Sequence, residues 1–142
     1  MIPKLHYISQ GDRPENHLEN ITKACSSGAE LVQLRLKNLD EATLLKTAEK
    51  AREITNTYQT RLIINDHYKI AKTVKADGVH LGKSDGNLED VRAHLYTWQI
   101  IGGTANILED CEMLINKKAD YIGLGPFRFT ETKANLSPIL GL

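Results

Sequence analysis

The sequence predicts an α/β protein of the TIM (βα)8-barrel type, with the chain supplying about the first six βα units. Two observations carry this prediction. Short apolar runs rich in β-branched residues alternate with segments of helical period, which is typical of parallel strands joined by helical crossovers. In addition, a related motif recurs at every second strand.

Six candidate strands are mainly apolar and are expected to be buried rather than half polar, as parallel strands covered on both faces are. They are residues 5–9, 31–34, 62–64, 78–81, 99–101 and 121–124. The apolar faces of the first two helices consist of Leu18, Ile21 and Cys25, and of Leu44, Leu45, Ala48 and Ala51. Asp40 is the candidate N-cap of the second helix. Further helical segments follow at 70–74, 88–95 and 108–115.

A weak internal repeat favours a barrel over an open doubly wound sheet. GAELVQL at 28–34, KADGVHLG at 75–82 and KADYIGLG at 118–125 fall on the second, fourth and sixth candidate strands. Alternate strands fill the interior layers of a (βα)8 barrel, so a signature on every second strand is expected there. An open sheet does not require it.

The composition indicates one cytoplasmic domain over residues 1–142. The formal net charge is zero and the basic residues are scattered, so neither nucleic acid nor an anionic membrane is an expected partner. Cys25 and Cys111 lack the spacing of a metal or redox pair and are expected to be free thiols. No apolar run is long enough for a membrane span. A homo-oligomer is compatible with the sequence.

The second strand runs into Gln33, Arg35 and Lys37, three polar residues at a spacing of two. Side chains at this spacing project from one side of a strand. Arginine can grip a phosphate bidentately and lysine can neutralise it, so the cluster fits a phosphate or a diphosphate. The alternative is an exposed basic strand end that binds nothing.

Two carboxylates follow neighbouring strands, Asp66 after the third strand and Asp85 after the fourth. Mg²⁺ commonly takes one or two protein carboxylates and completes its shell with water and phosphate oxygens. Helix capping explains the pair equally well, because aspartate is a frequent N-cap residue. Spacing alone leaves the two explanations open.

The fifth and sixth strands lead into IGGT and into GLGP followed by FTETK. The hydroxyls of Thr104, Thr130 and Thr132, with the charge of Lys133, could donate to an oxyanion. A glycine–proline turn with a polar loop is also ordinary surface architecture. Polar residues after five consecutive strands nevertheless predict a site, since barrel enzymes carry theirs at the carboxyl ends of the strands.

The remaining candidates receive structural interpretations. The five histidines share no metal-binding spacing and are expected to be structural or solvent-facing. Trp98 and Tyr121 are expected in the core. Ser84 and the two cysteines lack an identifiable base partner, so no covalent nucleophile is predicted.

The motifs VQLRLK, LIINDH, ADGVHLGKSD and ADYIGLGPFRFTETK, in this order, resemble those of the thiamine phosphate synthase family. The resemblance implies Mg²⁺-dependent transfer of a hydroxymethylpyrimidine group from its diphosphate to thiazole phosphate, with release of pyrophosphate. It assigns the pyrimidine diphosphate to Gln33, Arg35, Lys37, Asn65, Thr104 and Lys133, of which Arg35, Lys37 and Lys133 would be catalytic. It assigns Mg²⁺ to Asp66 and Asp85, and the thiazole phosphate to Thr130 and Thr132.

Three residues depart from the family pattern. Leu36 replaces an acidic residue, Thr104 stands where serine is usual, and Asn106 stands where histidine is frequent. Position 36 should face away from Arg35 and Lys37, and Thr104 keeps a hydroxyl. The role of Asn106 stays open.

The length limits the transfer of function. A closed (βα)8 barrel typically needs about 200 residues or more, so we expect the chain to be truncated before strands seven and eight. The alternatives to the transferase are a TenI-like thiazole tautomerase and a non-catalytic phosphate-ester-binding barrel fragment. The presence of the basic residues and of both aspartates argues against the tautomerase, which would not need them.

Overall fold

A computed structural model describes residues 2–83 and 86–125. Over these residues the chain alternates strand and helix, as predicted. The strands are β1 (Tyr7–Ile8), β2 (Leu31–Leu34), β3 (Arg61–Asn65), β4 (Gly78–Leu81), β5 (Ile100–Ala105) and β6 (Tyr121–Leu124). The helices are α1 (Pro14–Ser26), α2 (Glu41–Thr57), α3 (Tyr68–Thr73), α4 (Leu88–His94) and α5 (Leu108–Asn116).

The six strands form one sheet in the order β1-β2-β3-β4-β5-β6, and every neighbouring pair is parallel. Each of the first five strands is therefore followed by a crossover to the adjacent strand, as in the first units of a (βα)8 barrel. The predicted fold class is confirmed. Closure by further strands stays a prediction.

The two faces of the sheet differ in chemistry. On the outer face, alternate strand residues pack against the helices in one apolar core, which includes Val32, Leu34, Leu62, Ile64, Val79, Leu81 and Ile101. The residues between them form the inner face, which bounds a cavity of about 530 Å³. This face carries Gln33, His80, Thr104 and Tyr121 among its lining residues. Polar side chains are thus concentrated on the face that a barrel would enclose.

Two copies of the repeat share the same hydrogen-bond pattern at the amino ends of β4 and β6. Asp77 Oδ2 accepts from the Leu62 main-chain N–H at 2.7 Å and from Arg52 at 3.0 Å. Asp120 Oδ2 accepts from the Ile101 main-chain N–H at 2.8 Å and from Arg92 at 2.8 Å. Each aspartate therefore ties the start of one strand to the preceding strand and to the helix that leads into that preceding strand.

Two expectations about element placement are wrong. The fifth strand does not end at residue 101 but continues to Ala105, so Thr104 lies inside β5. The glycines permit this, because a Cβ on Gly102 would lie 1.9 Å from the ring of Tyr121. Trp98 is not in the core. Its side chain is 53% exposed and stacks on Tyr96, with ring centroids 5.6 Å apart.

The predictions for Asp40 and for the two cysteines hold. Asp40 caps α2, since its side chain accepts from the Thr43 main-chain N–H at 3.0 Å. Cys25 and Cys111 are free thiols. Within the described part of the chain, no helix combines the length and apolar character needed to cross a bilayer.

Candidate functional site

The three polar residues of β2 pass from buried to exposed along the strand. Gln33 is 2% exposed on the inner face, Arg35 is half-buried just beyond the strand end, and Lys37 is exposed. Leu36 belongs to the outer apolar core, so it faces away from the two basic residues as expected. The cluster therefore offers an amide inside the fold and two cations at its rim.

The strand register places polar residues side by side on the inner face. Asn65 of β3 pairs with His80 of β4, His80 pairs with Gly102 of β5, and Gly102 pairs with Tyr121 of β6. Because paired residues of parallel strands project to the same side, these residues form one row across the sheet. Asn65 is 7% exposed, and its Nδ2 atom has no hydrogen-bond partner. A buried amide donor is thus available at the carboxyl end of β3.

His80 links two hydroxyls within this row. Its Nδ1 lies 2.9 Å from the Tyr121 hydroxyl and its Nε2 lies 2.9 Å from Thr104 Oγ1. Burial raises the pKa of Tyr121, so the phenol keeps its hydrogen and can donate it to Nδ1. When the phenol donates to Nδ1, the neutral imidazole carries its hydrogen on Nε2 and donates it to Thr104, which leaves the threonine hydroxyl hydrogen available for a ligand.

Gln33 is oriented by a second histidine. The Gln33 amide nitrogen donates to His6 Nε2 at 3.3 Å, which requires that this ring nitrogen carries no hydrogen. Burial lowers the pKa of His6 and so favours the same uncharged ring. His6 also packs edge-on against Tyr121, with ring centroids 5.7 Å apart. The interior polar residues therefore form two hydrogen-bonded groups, one with Gln33 and His6 and one with His80 and Thr104. Both groups contact Tyr121.

Asp66 follows β3 directly and has a left-handed backbone conformation, with φ of 67°. Aspartate tolerates this conformation better than most residues. Its main-chain N–H donates to the His80 carbonyl at 2.7 Å, which fixes the loop against β4. The carboxylate is about one-third exposed and has one oxygen 3.9 Å from His67 Nε2. An oxygen ligand is therefore held at the rim, one residue beyond Asn65.

The capping explanation is wrong for Asp66, and Asp85 lies outside the described residues. The N-cap residue of α3 is His67, which makes no side-chain cap hydrogen bond, so Asp66 precedes the cap. The N-cap residue of α4 is Asn87, whose side chain accepts from the Glu89 main-chain N–H at 2.8 Å. Neither helix needs the predicted aspartate as its cap.

Asn106, whose role the sequence left open, connects β5 to the end of β6. It is 2% exposed, and its side-chain amide donates to the carbonyl of Gly125. Its main-chain N–H donates to Asp110 at 2.9 Å, and this bond is the main reason that the pKa of Asp110 is lowered. Lys83 forms an ion pair with the same carboxylate at 3.1 Å. The loops that follow β4, β5 and β6 are tied together at this point.

The structure thus brings four predicted residues to the inner face of the sheet: Gln33, Arg35, Asn65 and Thr104. Asp66 lies at the carboxyl end of β3 but lines a separate cavity with Leu39 and Glu41. Lys37 extends the group outward. Asp85, Thr130, Thr132 and Lys133 lie outside the described residues. In the ranges that are described, no group of three or more histidine, cysteine, aspartate or glutamate side chains could hold a metal ion.

Sequence reasoning missed the interior histidines and Tyr121 as parts of this site. One signal was present for His80. In the repeat, ADGVHL aligns His80 with Gln33 of GAELVQL, and Gln33 was already assigned to a ligand. For His6 and Tyr121 no motif indicated a role, because their contacts in the site depend on how the strands are ordered in the sheet.

Comparisons with known proteins agree with the geometry. The family model described as thiamine monophosphate synthase matches residues 5–142. A thiamine-phosphate synthase of Flavobacterium johnsoniae is 46% identical over 142 residues, covering 100% of this chain and 67% of the relative. A thiamine-phosphate synthase of Bacteroides fragilis is 40% identical over 138 residues, covering 97% of this chain and 68% of the relative.

A solved structure extends the agreement to three dimensions. The thiamine phosphate pyrophosphorylase from Pyrococcus furiosus matches with a TM-score of 0.81 and 28% sequence identity. The match covers 89% of this chain and 62% of that chain. The chain therefore spans about two thirds of the length of the relatives that it matches. Sequence and fold agree, and the chain belongs to the thiamine monophosphate synthase family.

Proposed function

We propose that the protein is a Mg²⁺-dependent thiamine phosphate synthase, acting on hydroxymethylpyrimidine diphosphate and thiazole phosphate. One observation carries the proposal beyond family membership. Gln33, Arg35 and Lys37 continue from β2 beside Asn65 and Asp66, which end the neighbouring strand β3. Amide donors, cations and a carboxylate on adjacent strand ends suit a diphosphate that arrives with a divalent cation.

The reaction breaks the bond between the pyrimidine methylene carbon and the diphosphate oxygen, and the electron pair leaves with pyrophosphate. The ring nitrogen of the thiazole phosphate supplies the pair for the new carbon–nitrogen bond. Arg35 and Lys37 stabilise the leaving group by neutralising the charge that develops on it, and Lys133 is assigned the same role. No enzyme nucleophile is needed, because positioning and charge stabilisation account for the catalysis.

The residues at the rim fit a magnesium ion. Asp66 presents a partly exposed carboxylate, which is the hard oxygen ligand that Mg²⁺ prefers. Asp85 is proposed as the second ligand on the basis of the resemblance. When bound, the ion would add positive charge at the diphosphate.

The inner face suits the pyrimidine end of the substrate. Gln33 and Thr104 line the cavity, and the available hydrogen of the Thr104 hydroxyl can be donated to a ring nitrogen or a phosphate oxygen. Thr130 and Thr132 are proposed to bind the thiazole phosphate. The cytoplasmic location and a homo-oligomeric state stay predictions.

Pyrophosphate release tests the proposal. The assay uses both substrates with and without Mg²⁺, on the 142-residue chain and on its whole reading frame. Pyrophosphate that appears only with both substrates and Mg²⁺ supports the transferase. Isomerisation of a thiazole phosphate without pyrophosphate would instead support the tautomerase, and binding without turnover in either sample would support a phosphate-ester binder.

A further inference from the structure

A buried serine–histidine pair connects the loop after β1 to the main chain of Arg35. Ser9 Oγ lies 2.6 Å from His17 Nδ1 and 3.1 Å from the main-chain nitrogen of Arg35. His17 Nε2 lies 3.0 Å from the carbonyl oxygen of Gly11. The two side chains are 2% and 6% exposed, so these bonds are shielded from water. The pair lies apart from the interior row described above.

The hydrogen atoms of this group have one consistent arrangement. The carbonyl of Gly11 can only accept, so His17 Nε2 carries the hydrogen and Nδ1 is the acceptor. The Ser9 hydroxyl then donates to Nδ1, and its oxygen accepts from the Arg35 N–H. Every donor in this series of hydrogen bonds, which runs from the Gly11 carbonyl through His17 and Ser9 to the Arg35 N–H, has an acceptor. The histidine thereby fixes the rotation of the serine hydroxyl.

The serine hydroxyl takes the place of a main-chain acceptor in the sheet. Strand β1 is only two residues long, and the main-chain N–H of Ser9 still donates to the Gln33 carbonyl at 2.9 Å. In a regular parallel ladder the next bond would run from the Arg35 N–H to the main-chain carbonyl of Ser9, in continuation of β1. Here it runs to Ser9 Oγ, at the point where β1 leaves the sheet. The Ser9 side chain therefore fixes the position of the Arg35 main chain just beyond the end of β2.

We propose that Ser9 and His17 are positioning residues for Arg35, and that they hold its guanidinium where it meets the diphosphate. The inference rests on the role of Arg35 in the proposed function. Arg35 is half-buried, and within residues 2–83 and 86–125 its side chain forms no ion pair that could orient it. Its placement depends on its backbone, and small displacements of binding groups have large effects on binding.

A double-mutant cycle separates this role from general stability. The cycle comprises S9A, R35A and the double variant, and the probe is inorganic pyrophosphate with Mg²⁺, titrated by calorimetry. One hydrogen bond corresponds to about a five-fold change in a binding constant, so S9A should weaken pyrophosphate binding by about that factor. In the R35A background S9A should have less than about a two-fold effect, because the residue through which Ser9 acts is gone.

Two outcomes would overturn the inference, and they are distinguishable from failure of the proposed function. An equal loss from S9A in both backgrounds would mean that Ser9 acts on the fold as a whole. No loss from S9A while R35A weakens binding would overturn the inference alone. If R35A itself leaves pyrophosphate binding unchanged, the diphosphate role of Arg35 fails, and the positioning role falls with it.

A second pair of variants keeps the test valid if S9A does not fold. H17N retains an oxygen near the position of Nδ1 that can accept from Ser9, whereas H17L has a similar volume and no acceptor. Both lose the bond to Gly11, so they differ in the contact to Ser9. We expect H17N to bind pyrophosphate about five-fold more tightly than H17L. Equal affinities of the two variants would contradict the proposed role of His17.

Discussion

The hydroxyl of Tyr121 lies 2.9 Å from Nδ1 of His80, across the space left by Gly102 between their strands. A side chain at position 102 would collide with the tyrosine ring, so the glycine is what allows the contact. A phenol that donates to Nδ1 selects the imidazole tautomer with its hydrogen on Nε2, and this tautomer leaves the Thr104 hydroxyl hydrogen for a ligand. Three strands are coupled in this way.

Replacing Tyr121 with phenylalanine should therefore lower turnover more than stability. Without the phenol, Nδ1 loses its donor, and the bond that orients Thr104 is weakened. Loss of one hydrogen bond corresponds to about 1 kcal/mol, so we expect a roughly five-fold decrease in kcat/KM. Steady-state pyrophosphate release measures this.

Tyr7 provides the matched control for this variant. Its hydroxyl also donates one partly buried hydrogen bond, to Asn20 Oδ1 at 2.9 Å, but the residue packs against the outer core. Tyr7→Phe should cost a similar amount of stability and leave kcat/KM within about two-fold. Equal kinetic effects of the two variants would mean that the interior contact has no special role.

The fold could be predicted from the sequence because its signals are local. Apolar runs and helical periods lie within single elements, and the six strands and five helices of the described residues were all predicted, with errors only at their ends. Strand β5 was ended too early because its glycines were interpreted as a loop. The reason for those glycines is the ring of Tyr121 and the side chain of Leu114, which lie far along the chain.

The site was predictable only in part, for the same physical reason. The sequence alone indicates Arg35, Lys37 and Asp66, because they are charged residues that follow predicted strands. The pairs His6–Gln33 and His80–Tyr121 are separated by 27 and 41 residues in sequence, and only the strand order brings them together. Trp98 shows the opposite error, because a large aromatic residue suggests burial whatever its surroundings.

Replacing Asp66 with asparagine should remove most of the activity and little of the stability. Asparagine tolerates the left-handed backbone at this position and keeps the volume, so the loop before α3 should retain its shape. The change removes the negative charge that would hold Mg²⁺. We expect turnover to decrease by about 100-fold, which corresponds to roughly 3 kcal/mol in the barrier.

Asp12→Asn serves as the control, since Asp12 is an exposed carboxylate in the loop before α1. Thermal unfolding and pyrophosphate release are measured for both variants over a range of Mg²⁺ concentrations. A decrease in melting temperature as severe as the loss of activity would identify Asp66 as a structural residue instead.

The stability of the protein should decrease on mild acidification because of His6. Burial lowers the pKa of His6 in the folded state, whereas the unfolded chain has the ordinary pKa of 6.5. As the pH falls through 6.5, the unfolded chain takes up a proton that the folded chain resists, and the free energy of unfolding decreases. Above this pH the effect is absent. Protonation would also break the bond from Gln33, so pyrophosphate affinity should fall in the same window.

Denaturant unfolding between pH 5 and pH 8 measures the effect, and His6→Gln should flatten the pH dependence. His94→Gln is the matched control, because His94 is exposed and lies away from the inner face. If the slope survives in His6→Gln, another group is responsible for it.

The aspartates of the repeat provide the converse case, in which stability changes and chemistry does not. Asp120 precedes β6, at the end of the sheet opposite the rim, and its carboxylate joins the Ile101 main chain to Arg92. Asp120→Ala leaves the Ile101 N–H without its partner, so we expect the free energy of unfolding to fall by about 2 kcal/mol. Asp120→Asn should lose about half as much, because the amide oxygen can still accept from Ile101.

Asp77→Ala tests whether the hydrogen bonds of Asp77 and Asp120 contribute equally to stability. Asp77 makes the equivalent bonds, to the Leu62 main chain and to Arg52. Its replacement by alanine should therefore lower the free energy of unfolding by the same amount as Asp120→Ala, within about 1 kcal/mol. Urea unfolding measures both variants, and kcat of the folded fraction should be unchanged because neither aspartate lies at the carboxyl ends of the strands. A lower kcat at unchanged stability would show instead that the amino ends of the strands influence the site.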